Sequence, residues 1–139
     1  MILLDTHTWI WIVEGETRRI GPRTRKLVAR ADSQGMVRVS PVSVFEVMAL
    51  NLTGRLSLAH SSEQWIRQAL GGLGVRVGEL TVDVALDAGS IPRTALADPL
   101  DRFLVATARQ LDATFLTSDR QILSYAASTG NVRVRDASR

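Results

Sequence analysis

Residues 98–119 read DPLDRFLVATARQLDATFLTSD, and this stretch decides the fold class. It opens with Asp98-Pro99, a pair typical of a helix start because Asp caps the first turn and Pro suits the first helical position. Apolar residues then recur at helical spacing up to about Leu111, and Ala113 to Leu116 is an apolar run of strand length. A helix that leads directly into a buried strand is typical of a parallel α/β sheet.

The same alternation runs along the rest of the chain, and no linker interrupts it. Strands are predicted at Met1–Leu4, Met36–Val39, Val75–Val77, Ala113–Leu116 and Val132–Val134. Helices are predicted from about Thr8, over Arg23–Ala31, from Ser40-Pro41 to about Leu52, over Glu63–Leu70 and Val82–Ala88, from Asp98 to about Leu111, and over Arg120–Ala127. Gly71–Gly74 is predicted to be a turn. The pattern predicts one domain, residues 1–139, with a parallel central sheet and helices on both faces.

Composition excludes several classes of protein. The 139 residues are 45% hydrophobic and include no cysteine, which argues against a disordered chain, a Cys-ligated zinc site and a thiol nucleophile. No apolar run approaches the ~20 residues of a membrane span, and Met1–Asp5 does not resemble a secretory signal. We therefore expect a cytoplasmic protein that is not bound to a membrane.

The basic residues are almost all arginine. The formal net charge is +3, and Lys26 is the one lysine among 17 basic residues. Arginine makes forked contacts to phosphate, which suits a nucleic-acid partner. A genome rich in arginine codons would explain the same bias.

Two aspartates follow predicted strands directly. Asp5 ends the first strand, and Asp119 follows Phe115-Leu116-Thr117-Ser118. In an open parallel sheet, ligands bind beyond the carboxyl ends of the strands. Helix capping is the structural alternative for each of these residues.

Glu46 and Asp101 lie on helix faces that are otherwise apolar. Glu46 shares its predicted face with Val42, Phe45, Ala49 and Leu50. A capping box from Ser43 would explain Glu46, but Ser40-Pro41 is the better helix start. Asp101 lies on the inward stripe of its helix, with Leu104, Val105, Ala108 and Leu111, whereas Asp98 is assigned as the N-cap. Buried charges of this kind are costly unless they are paired or bind a metal.

The four acids Asp5, Glu46, Asp101 and Asp119 can therefore converge near the strand ends. Four like charges need a cation, and oxygen-only ligands favour hard ions such as Mg²⁺ or Mn²⁺. Such a site can activate water for phosphoryl transfer. An acidic pocket within a basic surface is typical of a nuclease.

The sequence resembles PIN-domain ribonucleases, most closely the VapC toxins of toxin–antitoxin pairs. The matching segments are Leu3–Thr8 with Trp11 soon after, Ser40–Glu46, Asp98-Pro99-Leu100-Asp101-Arg102 continuing into Ala106-Thr107-Ala108, and Leu116–Arg120. The resemblance implies a three-layer α/β/α sandwich and places the family's acidic metal-binding quartet on Asp5, Glu46, Asp101 and Asp119. It also implies that Thr117 supports the site. The chain departs from many of these toxins at Leu96, where a His often stands.

The resemblance further implies a metal-dependent endoribonuclease, a homodimer, and a small antitoxin that covers the active site. An apolar run in the first helix, Ile10–Val13 after Trp9, is too broad for one buried stripe and agrees with a protein partner. Burial of this segment by later helices of the same chain is the alternative. Arg102 and Arg120 adjoin site acids and are candidate RNA contacts, or else solvated and acid-pairing residues.

Two other functions are weighed against this one. An aspartyl-phosphate phosphotransferase or phosphatase needs a lysine at a strand end, but Lys26 lies in a helical pattern. A catalytically inactive PIN-like module that binds RNA or protein would be expected to lack one of the acids. His7 is expected to be structural rather than substrate-binding, Trp65 is expected in the core, and one of Trp9 and Trp11 is expected nearer the surface.

Overall fold

The structure is a computed structural model that describes residues 1–72 and 74–139. The strands are β1 (Ile2–Leu4), β2 (Val37–Val39), β3 (Val75–Val77), β4 (Thr114–Thr117) and β5 (Val134–Asp136). They form one sheet in the order β3-β2-β1-β4-β5, and every neighbouring pair is parallel. Leu73, in the predicted turn Gly71–Gly74, lies outside the described residues.

Helices connect the strands and cover both faces of the sheet. They are α1 (Thr6–Glu14), α2 (Pro22–Ser33), α3 (Pro41–Leu52), α4 (Ser62–Leu70), α5 (Val82–Ser90), α6 (Pro99–Gln110) and α7 (Arg120–Thr129). No helix in the described ranges is long and apolar enough to cross a membrane. The prediction of an α/β fold with a parallel central sheet is confirmed.

Alternating residues of the strands build two separate cores. Leu3 and Phe115 point to one face, where α6 and α7 pack on the sheet through residues such as Leu104 and Ile122. Leu4 and Leu116 point to the other face, which α1, α2 and α4 cover. Because each face buries a nearly continuous apolar layer, the fold is a three-layer α/β/α sandwich.

The register of the strands aligns their carboxyl ends. Leu4 of β1 pairs with Val39 of β2 on one side and with Leu116 of β4 on the other. The chain therefore leaves the sheet at neighbouring points, at Asp5, at Ser40 and at Thr117. Helices α1, α3 and α7 begin at or just beyond these points. This edge of the sheet is where a parallel α/β fold places its ligands.

Three details differ from the predictions. Helix α1 begins at Thr6 rather than about Thr8, because Asp5 already caps its first turn. Strand β5 begins at Val134; Val132 is buried in the core but precedes the ladder. Phe45 is 59% exposed, so the prediction that it shares a buried face with Glu46 is wrong. The face of α3 that is turned to the sheet carries Ser43 and Val47 instead.

Candidate active site

Asp5 lies at the centre of the carboxyl edge of the sheet, and both of its carboxylate oxygens are engaged. Oδ1 accepts the Thr6 backbone N–H at 2.8 Å, which makes Asp5 the N-cap of α1. Oδ2 accepts the hydroxyl of Thr117, the last residue of the adjacent strand β4. Thr117 is fully buried, so it fixes the orientation of the Asp5 carboxylate. Asp5 is thus both a helix cap and a member of the acid cluster.

Glu46 is held by a buried pair of hydroxyls. Its Oε1 accepts the Thr6 hydroxyl at 2.8 Å, and the Thr6 Oγ1 lies 2.9 Å from the Ser43 Oγ. Because the single Thr6 proton points to Glu46, Ser43 donates in the second bond. Thr6 and Ser43 are at most 1% exposed. Ser40 caps α3 by accepting the Val42 N–H, so Glu46 is not part of a capping box from Ser43.

Asp98 and Asp101 lie at the start of α6, which approaches the same edge from one face of the sheet. Asp98 is the N-cap, and its Oδ1 accepts the Leu100 N–H at 2.9 Å. Asp101 is half-buried in the first turn of the helix. No hydrogen bond or ion pair to Asp101 is found within residues 1–72 and 74–139. Its carboxylate is therefore free to take another partner.

Asp119 lies on the opposite flank of Asp5. Its backbone N–H donates to the Thr117 Oγ1 at 3.0 Å, and its Oδ1 caps α7 by accepting from Gln121 and Ile122. Thr117 thus connects Asp5 with Asp119 through one side chain. The carboxylate of Asp119 is exposed, and its Oδ2 is not used by the cap.

The charges on these acids act on one another. Burial raises the pKa of Asp101 most, and the neighbouring carboxylates Asp98, Asp119, Asp5 and Glu46 add to the shift in that order, so that together they bring it to about 7. Burial also raises the pKa of Asp5 and that of Glu46, whereas the hydroxyls of Thr117 and Thr6 oppose these shifts. The acids are therefore close enough to share one electrostatic environment that is short of positive charge.

The donor set has the chemistry of a site for a hard divalent cation. It consists of the carboxylates of Asp5, Glu46, Asp101 and Asp119 near one edge of the sheet, and hydroxyl groups hold two of them, Asp5 and Glu46. Within residues 1–72 and 74–139, no group of three acidic or histidine side chains is close enough together to coordinate one metal ion without rearrangement. A cation would offset the repulsion among these carboxylates, and Asp101 and Glu46 have free oxygens to contribute.

The arginines predicted near the site differ in their surroundings. Arg102 donates to the Ala97 carbonyl at 3.3 Å, which ties α6 to the loop before it, and its Nε is buried. Arg120 is exposed at the first position of α7, and it lowers the pKa of Asp136 to a smaller extent than the Ser138 hydrogen bonds do. Of the two, Arg120 is better placed to meet a substrate.

The two tryptophans of α1 differ in burial, as expected for residues two positions apart on a helix. Trp9 is buried and packs edge-on against buried Trp65, with ring centroids 5.1 Å apart. Trp11 is only half-buried, and its ring lies under the Arg19 guanidinium and 5.7 Å from the exposed His7. Burial raises the pKa of Asp5, and the nearby His7 partly offsets this shift. Within the described ranges, the His7 side chain forms no hydrogen bond with an acid.

Sequence reasoning assigned no role to Thr6 and Ser43, although both contribute to the site. Thr6 directly follows Asp5, and Ser43 precedes Glu46 by almost one helical turn. In the sequence, only the presence of a hydroxyl residue near each acid could have indicated these contacts. This signal is weak, because Ser and Thr occur at helix starts for capping alone.

Comparisons with known proteins identify the family of the chain. A profile of the PIN domain matches residues 2–128. Ribonuclease VapC22 from Mycobacterium tuberculosis is 30% identical over 124 residues, which are 89% of this chain and 91% of that protein.

Solved structures share the fold at low sequence identity. One is VapBC2 from Rickettsia felis, bound to a DNA fragment from its promoter; its TM-score is 0.67 at 13% identity, and the match covers 97% of this chain and 98% of that one. DNA-bound VapBC from Salmonella typhimurium has a TM-score of 0.63 at 19% identity, with 97% and 96% coverage. These solved structures share the fold alone. The profile match over nearly the whole chain and the 30% identical relative show that the chain belongs to the PIN-domain family and, within it, to the VapC group.

Proposed function

We propose that this protein, as a single PIN domain, is a divalent-metal-dependent endoribonuclease and the toxin of a toxin–antitoxin pair. The observation that carries the proposal is the convergence of Asp5, Glu46, Asp101 and Asp119 at the carboxyl edge of the parallel sheet. The raised pKa of Asp101, caused by burial and by the charges of Asp98 and the other three acids, supports it. The name of the 30% identical relative supports ribonuclease as the activity.

In this proposal the four carboxylates would hold Mg²⁺ or Mn²⁺, and the ion would supply Lewis-acid charge and lower the pKa of water for in-line attack on phosphorus. Thr117 keeps the Asp5 carboxylate turned toward the site, and Thr6 does the same for Glu46. Arg120 and Arg102 contact RNA phosphates. No residue of the chain forms a covalent intermediate. The acids act by holding charge and orienting a nucleophile.

The experiment that tests the activity is cleavage of single-stranded RNA in millimolar Mg²⁺ or Mn²⁺. We expect cleavage with metal and none in excess EDTA, with activity restored when metal is returned. Asp5→Asn removes a central charge and should lose at least about 100-fold of the activity. Undiminished cleavage in EDTA would contradict the mechanism. A correctly folded wild-type protein that cleaves no RNA would instead favour the inactive binding module.

The geometry disfavours the aspartyl-phosphate alternative. That chemistry needs a lysine near the acids, yet Lys26 is exposed in the middle of α2, on the face of the sheet covered by α1, α2 and α4. Since Lys26 is the one lysine of the chain, no other residue can fill that role.

Two apolar features of the chain support the protein partners that we propose. A cavity of about 390 Å³ opens between α1 and α2 and is lined in part by Trp11, Ile12 and Val13. We assign it to an apolar segment of the antitoxin, because the structural relatives include toxin–antitoxin complexes. We propose that the protein and its antitoxin act in the cytoplasm, where the RNA substrate is found. A homodimer would cover exposed apolar side chains, which are Phe45, Met48 and Leu52 on α3 and Val82 and Leu86 on α5.

We expect the protein on its own to have the solution mass of two chains. When it is co-expressed with the product of the adjacent reading frame, we expect the two proteins to co-purify. Val13→Asp places a charge at the mouth of the α1–α2 cavity and should weaken antitoxin binding about 10-fold without changing RNA cleavage. Val77→Asp is the control, because Val77 is as exposed (44%) as Val13 (43%) but does not line the cavity. Equal effects of the two variants on antitoxin binding, or a single-chain mass, would overturn these assignments.

A further inference from the structure

A polar groove is lined by residues that come directly before Asp98 and directly after Asp119 in the sequence. It has a volume of about 510 Å³ and lies between residues 93–97, which precede α6, and the outer side of α7. We call it the arginine groove, and its lining is Arg93, Thr94, Ala95, Ala97, Arg120, Gln121, Ser124, Tyr125 and Ser128. A cavity of this volume accommodates a ligand the size of a nucleotide.

Both walls of the arginine groove end at a site acid. The wall formed by residues 93–97 continues directly into Asp98, the N-cap of α6. The wall formed by α7 begins at Arg120, directly after Asp119. The groove is therefore a polar surface next to the acid cluster, where an RNA strand with a phosphate at the cluster would continue.

The charge of the groove is opposite to that of the acid cluster. Its lining contains two arginines and no carboxylate. Arg93 is exposed, and no hydrogen bond or ion pair to its guanidinium is found within residues 1–72 and 74–139. Arg120 sits on the opposite wall and is only weakly engaged with Asp136. The hydroxyl of Ser124 and the side-chain amide of Gln121 supply further donors suited to phosphate and ribose oxygens.

We infer that the arginine groove is the subsite for the RNA strand on one side of the cleaved phosphate, with Arg93 and Arg120 as its phosphate contacts. The inference rests on the proposed RNA cleavage and adds the path of the substrate. Arg93 gives the clearest test of this inference. It lies five residues before Asp98 and outside the sequence motifs that contain the acids, so only the groove assigns it a role. Tyr125 is 6% exposed and forms part of the floor rather than a stacking platform.

The test uses an oligoribonucleotide that the wild-type protein cleaves once, and versions of it shortened by one nucleotide at a time from each end. Arg93→Gln should lower kcat/KM on the full-length RNA about fivefold at low salt, mainly through KM. The defect should disappear when shortening from one end empties the groove, and shortening from the other end should leave it unchanged. Loss of one phosphate contact should also reduce the slope of log(kcat/KM) against log salt by about 0.7.

Arg30→Gln is the matched control, because Arg30 is exposed on α2 at the opposite face of the sheet and undergoes the same loss of charge. It should change neither the length dependence nor the salt slope. Wild-type cleavage combined with an unchanged Arg93→Gln variant would overturn the groove assignment and leave the proposed function standing. An Arg93→Gln defect of equal size on RNAs shortened from either end would overturn it as well. Absence of wild-type cleavage would mean that the proposed function itself fails, and the groove assignment with it.

Discussion

Asp101→Asn is expected to abolish RNA cleavage and, at the same time, to stabilise the metal-free protein above pH 7. The cleavage loss, at least about 100-fold, follows because the amide has no charge with which to hold a divalent cation. The gain in stability follows because Asp101 is half-buried beside Asp98, Asp119, Asp5 and Glu46, which repel its ionised form. A residue that were merely a structural acid would show the opposite behaviour, with loss of stability on neutralisation.

The pH dependence of stability has a definite sign. The pKa of Asp101 is about 7 in the folded protein and near 3.8 when the chain is unfolded. Between these values the folded state holds a proton that the unfolded state has released, so the free energy of unfolding falls as pH rises from about 4 to about 7. Because the side chain is partly in contact with solvent, screening reduces this contribution to about 1 kcal/mol.

Urea unfolding in EDTA at pH 5 and at pH 7.5 measures both parts of this prediction. Asp101→Asn should be about 1 kcal/mol more stable than the wild type at pH 7.5, and the difference should shrink at pH 5. Asp83→Asn is the control, since Asp83 is an exposed acid in the first turn of α5 and lies outside the cluster. Unfolding of Asp101→Asn at pH 7.5, or full activity in that variant, would show that the acid cluster has been misread.

Thr117→Val is expected to weaken metal binding about 10- to 100-fold without unfolding the protein. Valine fills the same space but cannot donate to the Asp5 Oδ2 or accept from the Asp119 N–H. The Thr117 hydroxyl lowers the pKa of Asp5 against the effect of burial, so its removal makes the ionised carboxylate less favourable. The variant should therefore need more metal for the same rate.

A Mn²⁺ titration of the cleavage rate separates this role from general damage. The concentration for half-maximal activity should rise about 10- to 100-fold in Thr117→Val, whereas the rate at saturating Mn²⁺ should approach that of the wild type. Thr117→Ser keeps the hydroxyl and should behave nearly as the wild type does. A Thr117→Val variant with an unchanged metal requirement would remove Thr117 from the supporting role.

The backbone of this fold could be predicted from the sequence because strong local signals agree along the chain. Ser40-Pro41 and Asp98-Pro99 mark helix starts by capping and by the fixed backbone angle of proline, and α3 and α6 begin there in the structure. Short apolar runs between such helices leave few alternatives to a parallel sheet. Strand β5 was placed two residues early because the alternation of Val132 and Val134 does not show where pairing begins.

The residues of the site could be predicted only in part, for a different physical reason. Asp101 and Glu46 stand out in the sequence because a charge conflicts with the periodicity of its helix. Phe45 fits the same periodicity and yet faces solvent, because α3 packs on the sheet through its Ser43–Val47 side. The Thr6–Ser43–Glu46 contact joins residues 37 and 40 positions apart, and Arg93 gains its place only from the packing of α7 beside residues 93–97. Contacts of this range depend on tertiary geometry that no local pattern encodes.

We propose that a divalent cation held by Asp5, Glu46, Asp101 and Asp119 drives RNA cleavage. Anomalous scattering from Mn²⁺ in crystals of the wild-type protein tests this assignment. We expect an anomalous peak at the carboxyl edge of the sheet, among the carboxylates of these four acids. No peak there at millimolar Mn²⁺, or a peak only elsewhere, in a protein that cleaves RNA with the same metal, would overturn the assignment.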